Sequence, residues 1–236
     1  RLISQAGLFP SNCRLLDEME VQWNGLATTP CAMLVLGFES ADHPVNAWME
    51  RALKIVDDND GKYKNKEVVY SSEKDAPEKT AETGADAWRN AFIRMPYFRN
   101  KLTGHGIIAD TFETAITWDK FDALYKGVKA GIQKAIVEIT GAEGMVSCRF
   151  THIYPDGPAP YFSFFLVGDT TGDLQQALDK WRLIKEVAND LVVSLGGTST
   201  HHHAVGRDHR SGYEQQTSDL FRHAFAAAKA ALDRRL

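Results

Sequence analysis

Apolar residues recur along this chain with two spacings, one typical of helices and one typical of strands. The clearest helix is predicted from Trp118 to Thr140, where apolar residues return every three or four positions and Gly141 follows as a C-cap. Similar spacing predicts further helices over residues 41–58, 85–100, 173–195 and 218–232. We expect Pro96 to end or bend the helix over residues 85–100, because proline removes a backbone donor.

Strand-like segments alternate with these helices. A buried strand is predicted over 32–39, where it forms a βα unit with the next helix, and an alternating strand is predicted over 107–118. Strands over 145–154 and 161–167 are joined by the turn sequence Pro155–Pro160, which indicates a hairpin. The polar stretch 57–84 contains one strand-like island, Glu67–Tyr70.

This order of elements predicts an α+β fold with a mainly antiparallel sheet covered on one face by helices. The order resembles two ferredoxin-like halves. Length and composition agree, since 236 residues with 44% apolar and 25% charged residues can bury a full core. The ends of the sequence suggest a piece of a longer protein.

Charge and cysteine content limit the binding partners and the cellular compartments that suit this chain. A net charge of -4 and a pI near 6.1 give no general attraction for nucleic acid, so an anionic ligand needs specific arginines. Cys13, Cys31 and Cys148 are widely spaced, and we interpret them as buried thiols in a reducing compartment. No segment approaches the roughly 20 apolar residues of a membrane span, and we predict a cytoplasmic protein.

The most informative chemistry lies in three adjacent histidines, His201, His202 and His203, between Gly196-Gly197 and Gly206. The glycines indicate a sharp turn. An extended backbone would direct His201 and His203 to one side and His202 to the other. Imidazoles bind metals or transfer protons near neutral pH. Because no third ligand is evident at suitable spacing, we assign no metal and favour proton transfer. A solvated loop without chemistry is the remaining interpretation.

Several common site motifs are absent from the sequence. It contains no GxGxxG after a strand, no GxxxxGK[ST], no HExxH and no GxSxG. These absences remove support for the usual nucleotide-binding loops, for zincin proteases and for α/β-hydrolases.

The string GGTSTHHHAVGRDH at 196–209, followed by Tyr213, resembles the C-terminal part of FAD-dependent oxidoreductases of the vanillyl-alcohol oxidase type. Within that family, it most resembles the alkyldihydroxyacetonephosphate synthases. Further matching segments occur in the same order, at residues 11–17, 97–99, 111–119, 148–154 and 160–164. The resemblance covers most of the chain.

The resemblance implies that residues 1–236 are the substrate-binding cap of an enzyme whose FAD is bound mainly by a separate N-terminal domain. It implies catalytic roles for Tyr161, His201, His202 and His203, with His201 and His202 also facing the cofactor. It further implies that Arg99 and Arg14 bind the substrate, Arg99 by holding its phosphate, and that Arg14 is needed for activity. A guanidinium suits the first role because it stays charged and binds phosphate with paired donors.

Each assignment has a structural alternative. Tyr161 is also explained as a core aromatic, Arg99 as a surface residue and Arg14 as one partner of an ion pair. We interpret Glu113 and Trp118 as strand and core residues, since such positions are more often structural. The remaining polar candidates of the region, for which structural hydrogen bonding is favoured, are His152, Arg207 and His209.

The resemblance implies that the parent enzyme exchanges the acyl group of acyl-dihydroxyacetone phosphate for a fatty alcohol. Its expected partner is a lipid phosphate substrate, and peripheral membrane contact and a homodimer are compatible with it. Two alternatives stay open: the cap of an FAD-dependent oxidase or dehydrogenase of a hydroxy compound, and a non-catalytic α+β binding domain.

Overall fold

The computed structural model describes residues 1–63, 68, 84–169 and 171–233, without the side chains of residues 84–88, 91, 92 and 96. Two predictions therefore lie outside the described residues: the strand at 67–70, apart from residue 68, and the apolar helix face formed by Trp88 and Phe92. The secondary-structure elements, in chain order, are α1 (Leu2–Gln5), β1 (Asn12–Leu16), α2 (Glu18–Trp23), β2 (Met33–Gly37), α3 (Asn46–Asp57), α4 (Gly84–Gly104), β3 (Ile107–Glu113), α5 (Trp118–Thr140), β4 (Met145–Ile153), β5 (Pro158–Val167), α6 (Leu174–Ser194), α7 (Arg210–Gln216) and α8 (Asp219–Leu232).

The five strands of the described chain form one sheet in the order β2-β1-β4-β5-β3, and every neighbouring pair is antiparallel. β5 lies between β3 and β4, so those two strands run parallel to each other and α5 makes the crossover between them. The segment β3-α5-β4-β5-α6 therefore has the order of a ferredoxin-like unit, which β1 and β2 extend. The predicted α+β fold is confirmed.

One face of the sheet carries the main core. The helices α5 and α6 pack against each other and against the sheet, with fully buried apolar side chains from all these elements. On β5 these are Phe162 and Phe164, and on β3 Phe112 stacks on Phe162 at 5.2 Å between ring centroids. The apolar faces predicted from the spacing of residues 118–140 and 173–195 are therefore the faces that α5 and α6 bury in this core.

The opposite face is largely polar on β4 and β5, whereas at β1 and β2 it buries a small apolar cluster of Leu16, Val21 and Val35. The helix α2 lies over part of this face. Asp17 caps α2 by accepting a hydrogen bond from the backbone N–H of Glu20 at 2.9 Å. Glu20 is buried and bonds to Ser147, Ser163 and Arg149 on the strands. The sheet is therefore not covered on one face alone, because a short helix that the sequence pattern did not predict buries a polar layer on the second face.

Several predicted boundaries were wrong for identifiable reasons. The helix predicted over 85–100 runs from Gly84 to Gly104, so Pro96 does not end it. The helix predicted from residue 41 begins at Asn46, after a segment in which Ser40, Asp42 and His43 are hydrogen-bonded to one another. β3 ends at Glu113, and β5 begins at Pro158, which places Tyr161 within the strand rather than at its start. The sequence pattern also missed α1, β1 and α7.

The three thiols are only partly as predicted. Cys148 is buried in the main core, whereas the side chains of Cys13 and Cys31 are half-buried. All three are free cysteines.

Candidate functional site

The histidine loop is fixed against the segment that follows β3. The Thr198 backbone N–H donates to the Ala115 carbonyl at 3.1 Å, and the Ala115 N–H donates to the Thr198 hydroxyl at 3.0 Å. Gly197 permits this approach, because a Cβ there would lie 2.7 Å from both the Leu124 and Thr114 side chains. The glycine pair therefore turns the chain sharply, as predicted, and delivers the histidines to the end of β3.

Glu113, the last residue of β3, is the carboxylate around which these histidines gather. Its side chain is only 3% exposed. Its Oε1 atom lies 3.5 Å from His201 Nδ1 and 3.6 Å from His152 Nδ1, and its Oε2 atom lies 3.9 Å from His203 Nε2. The Thr151 hydroxyl donates to the same Oε1. A buried carboxylate that contacts several imidazoles fixes the orientation of their rings.

His202 adopts a backbone conformation that is uncommon for any residue other than glycine, with φ of +60°. The loop is consequently not extended, and the expectation that His202 points away from His201 was wrong. Instead, the His202 ring stacks on that of His152 at 4.2 Å, and its Nδ1 lies 2.9 Å from Nδ1 of His201. One of these two nitrogens carries the shared proton.

A β-bulge places His152 in the same cluster. The register of β4 against β5 shifts between Phe150 and His152, so that His152 faces Ala159 and Thr151 is the extra residue. Without this shift His152 would continue the alternation of Cys148 and Phe150, which are buried on the core face. The bulge therefore moves an imidazole from the apolar face to the polar face.

Tyr161 lies on the polar face between the histidines and a buried arginine. Its hydroxyl is 2.7 Å from the Thr111 hydroxyl, and its ring meets the ring of His203 edge-on at 5.8 Å. The Arg149 guanidinium carbon lies 4.0 Å from the centre of the Tyr161 ring. Glu113 and Arg149 are the cross-strand partners of Tyr161 on either side, so the sheet register itself brings these three residues together.

The two arginines predicted to bind substrate occupy different places. Arg14 is two residues before Leu16, which lies opposite Arg149, so Arg14 points to the polar face. Burial, and then the charge of Arg149, lower the pKa of Arg14. Arg99 lies on α4, where its side chain is 57% exposed and lies 3.6 Å from Asp110 at the edge of the sheet. The structure therefore places Arg14 near Arg149, on the face that carries Tyr161, while the contact described for Arg99 is with Asp110.

The polar residues around the loop differ in their electrostatics. Burial, and then the neighbouring His202, lower the pKa of His152, which favours the neutral ring. Burial and the charge of Lys185 likewise lower the pKa of His209. His209 is buried beside Asn189, with 3.4 Å between Nδ1 and Oδ1, in agreement with a structural role, and Arg207 is exposed.

Sequence analysis assigned no catalytic role to three members of this cluster, Glu113, His152 and Tyr154. The Tyr154 hydroxyl lies 3.4 Å from His201 Nε2. The available signal was that Glu113, His152 and Tyr154 all lie in the segments that resembled the family. The spacing of apolar residues could not predict that these side chains lie together, because their positions depend on the register of β3 with β5 and on the bulge in β4.

Comparison with known proteins identifies the family. The family model described as FAD linked oxidases, C-terminal domain, matches residues 1–234, and the chain belongs to this family. FAD is the cofactor that this membership implies.

Curated relatives point to one enzyme. The chain is 33% identical over 129 residues to alkyldihydroxyacetonephosphate synthase of Caenorhabditis elegans, a match that covers 54% of the chain and 21% of that protein. Matches to the proteins of the same name from Dictyostelium discoideum and Trypanosoma brucei brucei are 27% identical over 122 residues and 26% identical over 148 residues. They cover 52% and 63% of the chain and 19% and 23% of the relatives, so the match spans about a fifth of each relative's length.

Solved structures agree on the fold. Two crystal forms of alkyldihydroxyacetonephosphate synthase superpose with TM-scores of 0.60 and 0.62 at 20% identity. Each match covers 91% of this chain and 38% or 40% of the solved chain.

In the part of the chain that the structure describes, no helix combines the length and apolar character needed to cross a membrane.

The donor set of the cluster fits a flavin. The isoalloxazine ring of FAD carries hydrogen-bonding nitrogens and carbonyl oxygens, and imidazoles and phenols are partners for such groups. His202 and His203 lie on the exposed side of the cluster, with His201 beneath them at 19% side-chain exposure. A planar ligand could therefore approach these rings without displacing the core.

Proposed function

We propose that this chain forms the substrate side of an FAD-dependent enzyme of the alkyldihydroxyacetonephosphate synthase type. Such an enzyme exchanges the acyl group of acyl-dihydroxyacetone phosphate for a fatty alcohol. The observation that carries the proposal is the gathering of Tyr161 and the three consecutive histidines around the buried Glu113, within a chain of this family. The name shared by the curated relatives supports the substrate class.

In this proposal the imidazoles and the phenol handle protons. His201 and His203 both lie within 4 Å of Glu113, and a carboxylate in that position orients each ring. A neutral imidazole so held accepts a proton from the substrate carbon next to the carbonyl. Glu113 acts as a positioning residue, since it is buried behind the rings.

Tyr161 is the second acid–base group. Its hydroxyl is hydrogen-bonded to the Thr111 hydroxyl, and the guanidinium of Arg149 lies against its ring. The Glu20 carboxylate holds Arg149 in place at 3.0 Å. This arrangement suits a phenol that donates and recovers a proton during the exchange.

Arg99 is proposed to bind the phosphate end of the substrate, and Arg14 is proposed to bind another part of it. Both guanidiniums are charged at any working pH and present paired donors to a phosphate. Arg99 is exposed enough to reach a ligand, and its 3.6 Å distance to Asp110 is longer than a direct hydrogen bond. Arg14 lies on the face that carries Tyr161, where it can meet a second part of the same substrate.

FAD, bound mainly by a domain other than this one, would face His201 and His202. When bound it supplies a nucleophilic ring nitrogen to the exchange. The residues of this chain orient the substrate, exclude water from the polar face and move protons at the imidazole nitrogens and at the Tyr161 oxygen.

Two substitutions test the proton-transfer roles in the FAD-bound enzyme that contains this chain. We expect His202→Ala and Tyr161→Phe each to lower turnover of acyl-dihydroxyacetone phosphate with a fatty alcohol by about 100- to 10,000-fold, the usual contribution of general acid–base catalysis. Flavin absorbance after gel filtration should be retained in both variants, because the contacts of these side chains are local.

His105→Ala is the matched control, since His105 is exposed at the end of α4 and should leave turnover unchanged. Near-normal turnover in both His202→Ala and Tyr161→Phe would remove the acid–base assignment. Net oxidation of a hydroxy compound, with no exchange activity, would replace the transferase proposal by an oxidase. If the FAD-bound protein is inactive in both reactions, the chain is instead a non-catalytic binding domain.

A further inference from the structure

A buried lysine joins the last strand of the sheet to α6. Lys185 follows the core residue Ile184 on α6, and its side chain is only 7% exposed. Its Nζ atom donates to the Thr111 backbone carbonyl of β3 at 3.0 Å and lies 3.4 Å from Asp110 Oδ2. β3 stands at one end of the strand order, and among the described strands it pairs with β5 alone. Lys185 therefore attaches an edge strand to the helix layer at a defined point.

Stability alone does not account for a charged group at this position. Removing an ammonium group from water costs free energy, which a buried partner such as Asp110 offsets only when the geometry is favourable. An apolar side chain in place of a buried ion is often equally stabilising. What Lys185 adds is a directed hydrogen bond, which fixes the position of the strand that accepts it.

Thr111 connects this point to the polar face of the sheet. Its hydroxyl lies 2.7 Å from the Tyr161 hydroxyl. Thr111 thus bonds to Lys185 through its backbone and to Tyr161 through its side chain. Because one residue makes both bonds, a displacement of β3 at Thr111 also displaces the hydrogen-bond partner of the Tyr161 phenol.

Asp110 makes a second connection, on the opposite face of β3. Its carboxylate accepts a hydrogen bond from Trp181 Nε1 at 2.7 Å, and its Oδ1 atom lies 3.6 Å from the Arg99 guanidinium. Trp181 is one turn before Lys185 on α6, so two side chains of the same helix contact this carboxylate. The partner of Arg99 is therefore held by α6, as is the partner of Tyr161.

We propose that Lys185 is a positioning residue, which fixes the segment of β3 that supplies partners to Tyr161 and to Arg99. The inference rests on the proposed acid–base role of Tyr161. Lys185 acts through Thr111, because its own ammonium group is buried between α6 and β3. Catalytic side chains must keep their geometry to within a fraction of an ångström, and buried supporting residues provide that precision.

The first test is turnover of the FAD-bound enzyme that contains this chain. Lys185→Met keeps an unbranched apolar stem but loses the ammonium group. We expect kcat to fall about 10- to 100-fold, since small displacements of a positioned group have effects of this size. In a Tyr161→Phe background the same change should lower kcat by less than about 2-fold, because both act through one hydroxyl. Equal factors in the two backgrounds overturn the inference.

Lys180→Met is the matched control. Lys180 lies on the same helix and donates to the Gly168 carbonyl at 2.6 Å, a contact of the same kind just beyond the end of β5. Loss of this ammonium group should leave kcat unchanged. A loss of turnover as large as that of Lys185→Met would assign the effect to the packing of α6 and would overturn the inference.

A second measurement needs no turnover: ¹³C NMR of the FAD-bound enzyme labelled at the tyrosine Cζ atom. The Tyr161 resonance is identified by its absence from Tyr161→Phe. We expect it to shift in Thr111→Val and in Lys185→Met but not in Lys180→Met, and an unshifted resonance in Lys185→Met overturns the inference. If Lys185→Met does not retain FAD, Lys185→Gln replaces it, because its polar amide reaches one bond less far. Near-normal turnover in Tyr161→Phe would contradict the proposed function without altering this reading.

Discussion

The two faces of the sheet use the same strands for different purposes. On β5, Phe162 and Phe164 are fully buried beneath α5 and α6. Their neighbours Tyr161 and Ser163 point the other way, into hydrogen bonds and ion pairs. One face is apolar and tightly packed, whereas the other holds a chain of polar contacts from Glu20 through Arg149 and Tyr161 to the histidines.

This difference shows that the residues that stabilise the fold and the residues of the candidate site lie on opposite faces of the sheet. Apolar burial stabilises the folded state in proportion to the area removed from water, and the α5–α6 face supplies most of it. Buried ions and hydrogen-bonded polar groups add little net stability but hold defined positions. We therefore expect substitutions on the two faces to affect different measurements.

The largest expected effect comes from Phe162→Ala on the apolar face. The variant should lose roughly 3 to 5 kcal/mol of the free energy of unfolding, because the side chain is completely buried and stacks on Phe112. Urea unfolding followed by circular dichroism measures this loss. The adjacent Tyr161→Phe should lose only about 1 kcal/mol, the hydrogen bond to Thr111. Equal losses in the two variants would contradict the division between the faces.

A smaller effect is expected from the buried ion pair of the polar face. Glu20→Gln should lower the free energy of unfolding by about 3 kcal/mol, because Arg149 then keeps a buried charge without its compensating carboxylate. The double variant Glu20→Leu/Arg149→Met should recover part of that loss in the same urea experiment, because it removes the uncompensated charge but takes the Glu20 acceptor from the buried Ser147 and Ser163. A double variant as unstable as Glu20→Gln would show that the ion pair itself stabilises the fold.

The smallest effect concerns the pH dependence conferred by His209. Its pKa in the folded state is lowered by burial and by Lys185, so the unfolded chain binds a proton that the folded chain does not. This stability is fully present above the unfolded pKa of about 6.5 and is lost as the pH falls below it. Between about pH 7.5 and pH 5.5 the parent chain should therefore lose more free energy of unfolding than His209→Gln. Parallel pH profiles of the two chains would exclude this contribution.

Most of the fold was predictable from the sequence. The spacing of apolar residues located α5 at its observed bounds and α6 and α8 to within one residue at each end, because these amphipathic helices bury one stripe and expose the rest. β1 and α2 were missed because five or six residues are too few for a period to be recognised, whereas the equally short β2 was predicted from its continuous apolar run.

The candidate site was predictable only in part. The residues at 201–203 and Tyr161 were found through their rarity and their resemblance to a family, and the structure brings His203 and Tyr161 into contact. Whether they carry out catalysis remains a prediction, as does the phosphate contact of Arg99. Glu113 was interpreted as a strand residue because nothing in its neighbourhood reveals which residues will meet it across the sheet.

The local pattern of side chains determined by itself the helices, the antiparallel α+β class and the sharp turn before the histidines, since each depends on residues close together in the chain. Only the tertiary structure decided that Glu113, His152 and the histidine loop share one face. That meeting depends on strand register, a one-residue bulge and the hydrogen bonds between Thr198 and Ala115. The physical reason is that a single-residue shift in register sends a side chain to the opposite face.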